Sequence, residues 1–295
     1  MLVVVPAVIV VAVVLALAGG GGGDDDESTA GRPASSPRVD RFDSERAFRL
    51  LRHQVEMGPR PAGSDRLRRL AYFARKRLPR GRFEAVPGHP GLRNVVGRIP
   101  GRGRAILVAA HYDTKNLPGF VGANDGASGT AAVLELARAL RASKRPAGAP
   151  EIRFALFDGE EATDDSRPFL ATGLRGSTAY AKRHKRKVRA LVLLDFVAEK
   201  GAMRIVYEAG SDPALWARLR GAARRVGAAA AFPAGTVGEI TDDHTPFVAR
   251  GIPAIDLIDF TFPCWHKTCD DMSAVSERSL DLSGETVFEL LRSWR

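Results

Sequence analysis

From residue 67 onward the apolar positions fall into two kinds of segment that take turns along the chain. Leu67, Leu70, Ala71, Ala74 and Leu78 keep helical spacing until Pro79 closes the run. After it, short apolar runs rich in β-formers alternate with longer stretches of helical period. Ala105–Ala110, Ile152–Phe157, Leu191–Leu194 and Ala254–Ile258 predict buried strands. Ser128–Leu140, Gly173–Arg183, Pro213–Val226 and Ser279–Leu291 predict helices. Strands that alternate with helices predict an α/β domain whose mostly parallel sheet is covered on both faces. No internal repeat or second linker interrupts residues 38–295, so one domain is expected there.

Open sheets of this kind bind ligands beyond the carboxyl ends of their strands. The residues that follow each strand are therefore the candidates for chemistry. His111-Tyr112-Asp113 follows the first predicted strand, and Asp125, within Gly122–Gly126, precedes the next helix. Asp158-Gly159-Glu160-Glu161 follows the second strand, Asp195 the third, and Trp265-His266 sits in the loop after the last. Any one of these is explicable as a helix cap or a solvated acid; their convergence on one edge is not. Imidazole and carboxylate are the ligands of a catalytic zinc that keeps one position open. Neighbouring side chains after a strand point in different directions. One of Glu160 and Glu161 can thus bind metal while the other faces the substrate as a general base, a role worth about 10²–10⁴-fold in rate. Asp113 is placed to orient the His111 imidazole.

Composition narrows this picture. The 295 residues are 45% apolar and 26% charged, which excludes a disordered chain. Two cysteines exclude both a disulfide-dense scaffold and a four-thiolate zinc site. The net charge of +10 raises the question of a polyanion partner. Lys182–Arg189 is the densest basic run, yet no aromatic residues interleave it and no nucleic-acid motif accompanies it. It reads as a solvated helix end, and no nucleic acid is expected as partner. His53 and His184 are expected to face solvent and His244 to be a hydrogen-bonded structural residue. Trp216 and Trp294 are expected to pack.

Leu2–Ala18 is an unbroken apolar run, followed by Gly19–Gly23 and the acids Asp24–Glu27. Residues 1–18 are expected to be an export signal or a membrane anchor, 19–37 a flexible linker, and 38–295 the enzyme domain. The acids favour leaving the C-terminal side outside the membrane. The expected location is extracytoplasmic, secreted or held to the membrane by the first segment if it is not cleaved.

The ordered motifs resemble the family-28 metallopeptidases, which include bacterial zinc aminopeptidases and the glutaminyl-peptide cyclotransferases. The resemblance runs from about Phe42 to the C-terminus through Gly58–Ser64, His111–Lys115, Phe120–Gly129, Phe157–Ala162, Gly173–Ser177, Leu193–Phe196, Asp242–Phe247 and Trp265-His266. It implies a three-layer α/β/α sandwich with a mixed central sheet. It also implies metal ligation by Asp125, Glu161 and His266, with His111 and Asp195 around a second ion and Asp125 bridging. Glu160 matches the catalytic acid/base. Lys115, the residues leading to Asp125, Asp242–Phe247 and Trp265 look more like the cyclotransferase branch. That branch implies one zinc and conversion of an N-terminal glutamine to pyroglutamate with release of ammonia. Asp195 and Asp242 would hold a hydrogen-bond network there, and Trp265 a substrate wall.

The lack of an aromatic residue in Ala162–Ser166 departs from that branch, and Asn124-Asp125-Gly126 looks closer to the aminopeptidases. The alternative is therefore a two-zinc aminopeptidase that hydrolyses the first peptide bond. Either way the partner is a peptide or protein N-terminus. A non-catalytic relative is disfavoured, because the ligands and Glu160 are all present. Cys264 and Cys269 are left either as a disulfide bracing the His266 loop or as free thiols.

Overall fold

Eight strands occur among the described residues, which are Pro37, 39–201 and 203–294 of a computed structural model. They are β1 (Arg82–Ala85), β2 (Arg93–Ile99), β3 (Arg102–His111), β4 (Pro150–Phe157), β5 (Val188–Leu194), β6 (Tyr207–Glu208), β7 (Thr236–Val237) and β8 (Ala254–Leu257). Six form the central sheet in the order β1-β2-β4-β3-β5-β8, while β6 and β7 pair separately. β4, β3, β5 and β8 are mutually parallel, and β2 and β1 add to one side antiparallel. The helices are α1 (Ser44–Glu56), α2 (Asp65–Arg77), α3 (Ala127–Ala142), α4 (Phe169–Thr172), α5 (Arg175–His184), α6 (Pro213–Val226), α7 (Thr245–Val248) and α8 (Glu277–Arg292).

Strand alternation divides the interior in two. Ile106, Val108 and Ala110 of β3 join one core with residues of α1, α2, α3, α6 and α8. Leu107 and Ala109 join the other, with Tyr180 and Ala181 of α5 and Phe247 of α7. β4 and β5 divide in the same way, since successive side chains of a strand face opposite sides. The result is the expected three-layer α/β/α sandwich with a mixed, mostly parallel sheet.

The four predicted strands and five predicted helices are all present, with ends shifted by a few residues. β1 and β2 were not predicted. Arg82, Glu84, Arg93, Asn94 and Arg98 interrupt their apolar positions, as befits antiparallel strands beside the buried parallel centre. His184 corrects an expectation: it is buried, not solvent-facing. One helical turn after Tyr180, it shares that residue's sheet-facing side of α5, with ring centroids 4.3 Å apart. Its Nε2 lies 2.8 Å from Glu84 Oε2. His53 is half-buried against Phe73. Trp216 and Trp294 are buried packing residues, as expected. The expected segments 1–18 and 19–37 lie outside the described residues, Pro37 apart. No helix among those described is long and apolar enough to cross a membrane.

One close approach positions everything that follows. α3 begins against the carboxyl ends of β3 and β5, and a Cβ at Gly129 would lie 2.1 Å from the Leu194 carbonyl oxygen and 3.0 Å from Ala110 Cβ. Only glycine lets the helix start this near the sheet, directly after Asp125. Gly129→Ala is expected to destabilise the protein by about 1–3 kcal/mol through overpacking. A urea-unfolding midpoint equal to that of the parent would contradict the close approach.

Candidate metal centre

Because β3, β4, β5 and β8 run in one direction, their following residues gather at one edge of the sheet. His111 closes β3, and its Nε2 lies 3.2 Å from Asp125 Oδ1 and 3.3 Å from Asp195 Oδ1. On the other side of the same carboxylate, His266 Nε2 lies 3.6 Å from Asp125 Oδ2 and 3.5 Å from Glu161 Oε2. Two donor groups therefore share Asp125: His111–Asp125–Asp195 and Asp125–Glu161–His266. Glu160 diverges from Glu161, with Oε2 4.0 Å from His111 Nδ1. Lys115 approaches Glu161 at 3.7 Å and pairs with Asp165 at 2.6 Å. Trp265 stands at the rim, 44% exposed, its ring 4.6 Å from His266 and 4.9 Å from Phe260.

The segments that carry Asp125 and the two glutamates are held in place through their backbone. Asp113 accepts the backbone N–H groups of Glu160 and Glu161 at 3.2 and 3.3 Å. This refines the expected role of Asp113, because its carboxylate is 3.7 Å from His111 Nδ1 and spends its hydrogen bonds on the glutamate turn. Asp158 anchors the start of that turn by accepting from Arg93 N–H and from the Tyr112 hydroxyl. Arg175 clamps its far side by donating to the carbonyls of Gly159 and Glu161. Asp270 accepts the backbone N–H groups of Asn124 and Asp125 at 2.7 and 3.0 Å. Arg60, fully buried, donates to the carbonyls of Gln54, Gly58 and Val121 and so ties the segment before Asp125 to the end of α1. His266 itself has φ +51°, in the left-handed region that non-glycine residues seldom occupy. The Cys264–Cys269 disulfide brackets it, which decides between the two states left open for these cysteines.

Negative charge is in excess here. Burial, then the neighbouring Glu161, raises the Glu160 carboxyl well above the ordinary range, with Asp242 and Asp243 adding to the push. Burial and Asp125 raise Glu161. Burial, against the pull of His111, takes Asp195 to about 7. Asp125 Oδ2, Glu161 Oε1 and His111 Nδ1 are buried without a hydrogen-bond partner. Donors bound at about 2.0–2.2 Å around a tetrahedral ion stand about 3.4 Å apart, and the separations in both groups are close to that. Oxygen and imidazole donors with orphaned buried atoms fit a divalent ion of the zinc type.

Asp242 does not join either group. It is buried beside His244 and Asp256, which form a third cluster with it. Sequence reasoning overlooked Asp270, Arg60, Asp256 and Glu208. Asp256 carried a legible signal as a lone acid inside the apolar run Ala254–Ile258, and Arg60 lies in the quoted Gly58–Ser64 motif. Asp270 carried none, since its work is done on the backbone of a distant loop.

A model of peptidase family M28 matches residues 94–291. The glutaminyl-peptide cyclotransferase-like protein of Mus musculus is 31% identical over 210 residues, 60% of this chain and 54% of that protein. Aminopeptidase YwaD of Bacillus subtilis (strain 168) is 30% identical over 197 residues, 62% of this chain and 39% of that protein. The crystal structure of an Acidobacteriales bacterium glutaminyl cyclase matches with a TM-score of 0.76 at 28% identity, over 91% of this chain and 98% of that one. The chain thus spans 54% and 63% of the length of the first two curated relatives.

Partners that orient ligands typically cost 10–100-fold in metal affinity when removed. Asp270→Ala is expected to weaken metal binding by about that factor, although Asp270 is not itself in either donor group. Competition against a chelator checks this, and an unchanged affinity would remove Asp270 from the support of the centre.

Proposed function

The chain belongs to peptidase family M28, and from that premise we propose a zinc enzyme of peptide N-termini that cyclises N-terminal glutamine. The observation that carries the chemistry is the divergence of two adjacent glutamates. Glu161 turns to His266, while Glu160 stays outside that donor group at the same edge. The similarity to cyclotransferases in sequence and to a glutaminyl cyclase in structure supports the choice of reaction.

Asp125, Glu161 and His266 would hold the zinc, which when bound polarises the γ-carboxamide carbonyl of the substrate. The α-amine nitrogen attacks the γ-carboxamide carbon; a ring C–N bond forms and the bond to the departing nitrogen breaks. Glu160 takes the proton that the amine loses and gives it to the departing ammonia. Burial and Glu161 raise the proton affinity of Glu160, which suits a group that must carry a proton between two nitrogens. The attack is intramolecular, so holding the substrate in a reactive pose matters more than activating water. Trp265, exposed beside His266, offers an apolar wall for the glutamine side chain.

A second reading has its own support. Asp125 faces both His111 and His266, so its carboxylate would be shared if two ions were bound. With two zinc ions the same site would hydrolyse the first peptide bond, Glu160 taking a proton from water.

We also infer that the enzyme works outside the cytoplasm. The Cys264–Cys269 disulfide supports this, because such bonds persist in oxidising compartments, and so does the apolar run at residues 2–18.

Mass spectrometry of a glutamine-initiated peptide incubated with the protein tests the reading. Loss of ammonia with the chain intact is expected; release of the first residue would transfer the assignment to the aminopeptidase, and neither product would overturn both. Glu160→Gln is expected to lower turnover by about 10²–10⁴-fold while the protein keeps its zinc. Retained turnover would strip Glu160 of its proton-carrying role.

A further inference from the structure

The sheet has a second edge, and its charge is the opposite of that at the metal centre. β4, β3 and β5 lie side by side and start together, since Arg102 of β3 pairs with Pro150 of β4 and Ala105 of β3 with Val188 of β5. The stretches that lead into these starts are residues 98–104, 141–150 and 182–189. Together they hold twelve lysines and arginines and not one acid. Hydrogen bonds join them into one surface. The Ala105 N–H donates to the Lys187 carbonyl at 2.8 Å and the Arg102 N–H to the Ala149 carbonyl at 2.9 Å. Arg145 reaches across to the Pro100 carbonyl at 3.3 Å.

Most of this charge is uncompensated. Glu151, the first acid beyond the three stretches, is taken by Arg98 and Arg153, and Glu84 by Arg82, Arg183 and His184. Arg102, Lys144, Lys185, Arg186, Lys187 and Arg189 are all exposed and form no ion pair among the described residues. Their joint field reaches outward by about a Debye length, about 8 Å at physiological ionic strength. The three stretches contain no Phe, Tyr or Trp on which bases could stack, which disfavours a nucleic acid. The described chain also begins at this end, downstream of the apolar run at residues 2–18. Arg41 and Lys144 line one open depression beside the ends of α3 and α8.

We propose that this amino edge of the sheet docks on a bilayer of anionic phospholipids, its lysines and arginines facing the headgroup phosphates. Exposed cations spread over three adjacent stretches suit a surface that presents many phosphates. A single phosphate-bearing ligand would instead call for a closed pocket with buried donors. β3 runs from Arg102 at the basic edge to His111 at the metal centre, about 30 Å at about 3.3 Å per residue. Docking by the basic edge therefore leaves the metal centre facing away from the bilayer. The carboxylates at that far edge are repelled by the same anionic surface, so the charge polarity of the fold sets the orientation. The proposal does not depend on which reaction the enzyme performs.

Co-sedimentation of the purified full chain with vesicles tests it. The apolar run at residues 2–18 would partition into any bilayer. The readout is therefore the ratio of binding to mixed phosphatidylglycerol–phosphatidylcholine vesicles over binding to phosphatidylcholine alone. A ratio of about ten or more is expected, falling towards unity as salt approaches about 1 M, where the Debye length is about 3 Å. A cation near an anionic surface strengthens binding about fivefold, so Lys185→Gln with Lys187→Gln should cut the ratio by about tenfold or more. Arg66→Gln with Arg69→Gln is the control. It removes the same charge from the start of α2, which lies beside Tyr112 and Asp158 at the opposite edge, and should change the ratio by less than about twofold. A parental ratio near unity, or an equal loss from the two pairs, would overturn the proposal. So would a short DNA duplex that strips the protein from the anionic vesicles at equal phosphate concentration, since the face would then belong to a nucleic acid.

Discussion

Carboxylates crowded into a buried sheet edge are the constraint on which this structure turns. Asp125, Glu160, Glu161 and Asp195 meet where the parallel strands end, and repulsion alone would drive them apart or protonate them. The surrounding architecture resists their separation, while burial favours their protonation. Gly129 lets α3 start against β3 and β5, bringing Asp125 between two histidines. Asp113 and Arg175 hold the glutamate turn from two sides, and Asp270 and Arg60 hold the approach to Asp125. A divalent cation among these donors would supply the missing charge, so the site and the stability of this edge would share one physical origin.

Cyclisation and hydrolysis differ little at this level. Both need a polarised carbonyl, a carboxylate that carries a proton, and a substrate held by its N-terminus. The groups for these tasks occupy the same positions in either case. What separates the reactions is whether the attacking atom is the substrate's own amine or a water. The chain departs from the cyclotransferase pattern after the paired glutamates, since Ala162–Ser166 holds no aromatic residue.

Much of this was legible in the sequence because parallel strands leave a strong trace. Ala105–Ala110 and Leu191–Leu194 are apolar throughout and Ile152–Phe157 is apolar but for Arg153, and a polar residue at their carboxyl ends stands out at once. His111, Glu160, Glu161 and Asp195 were found in that way. The structure brings His111 and Asp195 to Asp125, Glu161 and His266 to its other side, and Glu160 beside them. β1 and β2 escaped because antiparallel pairing tolerates charged residues that break the apolar run. His184 misled because its neighbours in sequence are cations while its neighbours in space are Tyr180 and Glu84. Asp270 and the backbone-holding role of Asp113 were invisible for a related reason: their partners are N–H groups, which every residue carries. Asp242 was singled out, but its company with His244 and Asp256 follows from the register of β8 and could not be read from spacing.

The dependence of this edge on a cation is tested most directly by thermal unfolding of metal-stripped and zinc-loaded protein across pH. Without metal, burial takes Asp195 to about 7 and raises Glu160 and Glu161 as well. Carboxyls raised in the folded state stabilise it fully below their unfolded values near 4, and that stability is lost as pH rises through the folded values. The melting temperature of the stripped protein should therefore fall between about pH 5 and pH 8. Zinc replaces those protons, so the stabilisation that it confers should grow over the same interval. Zinc stabilisation that is absent, or equal at both ends of the range, would contradict the account.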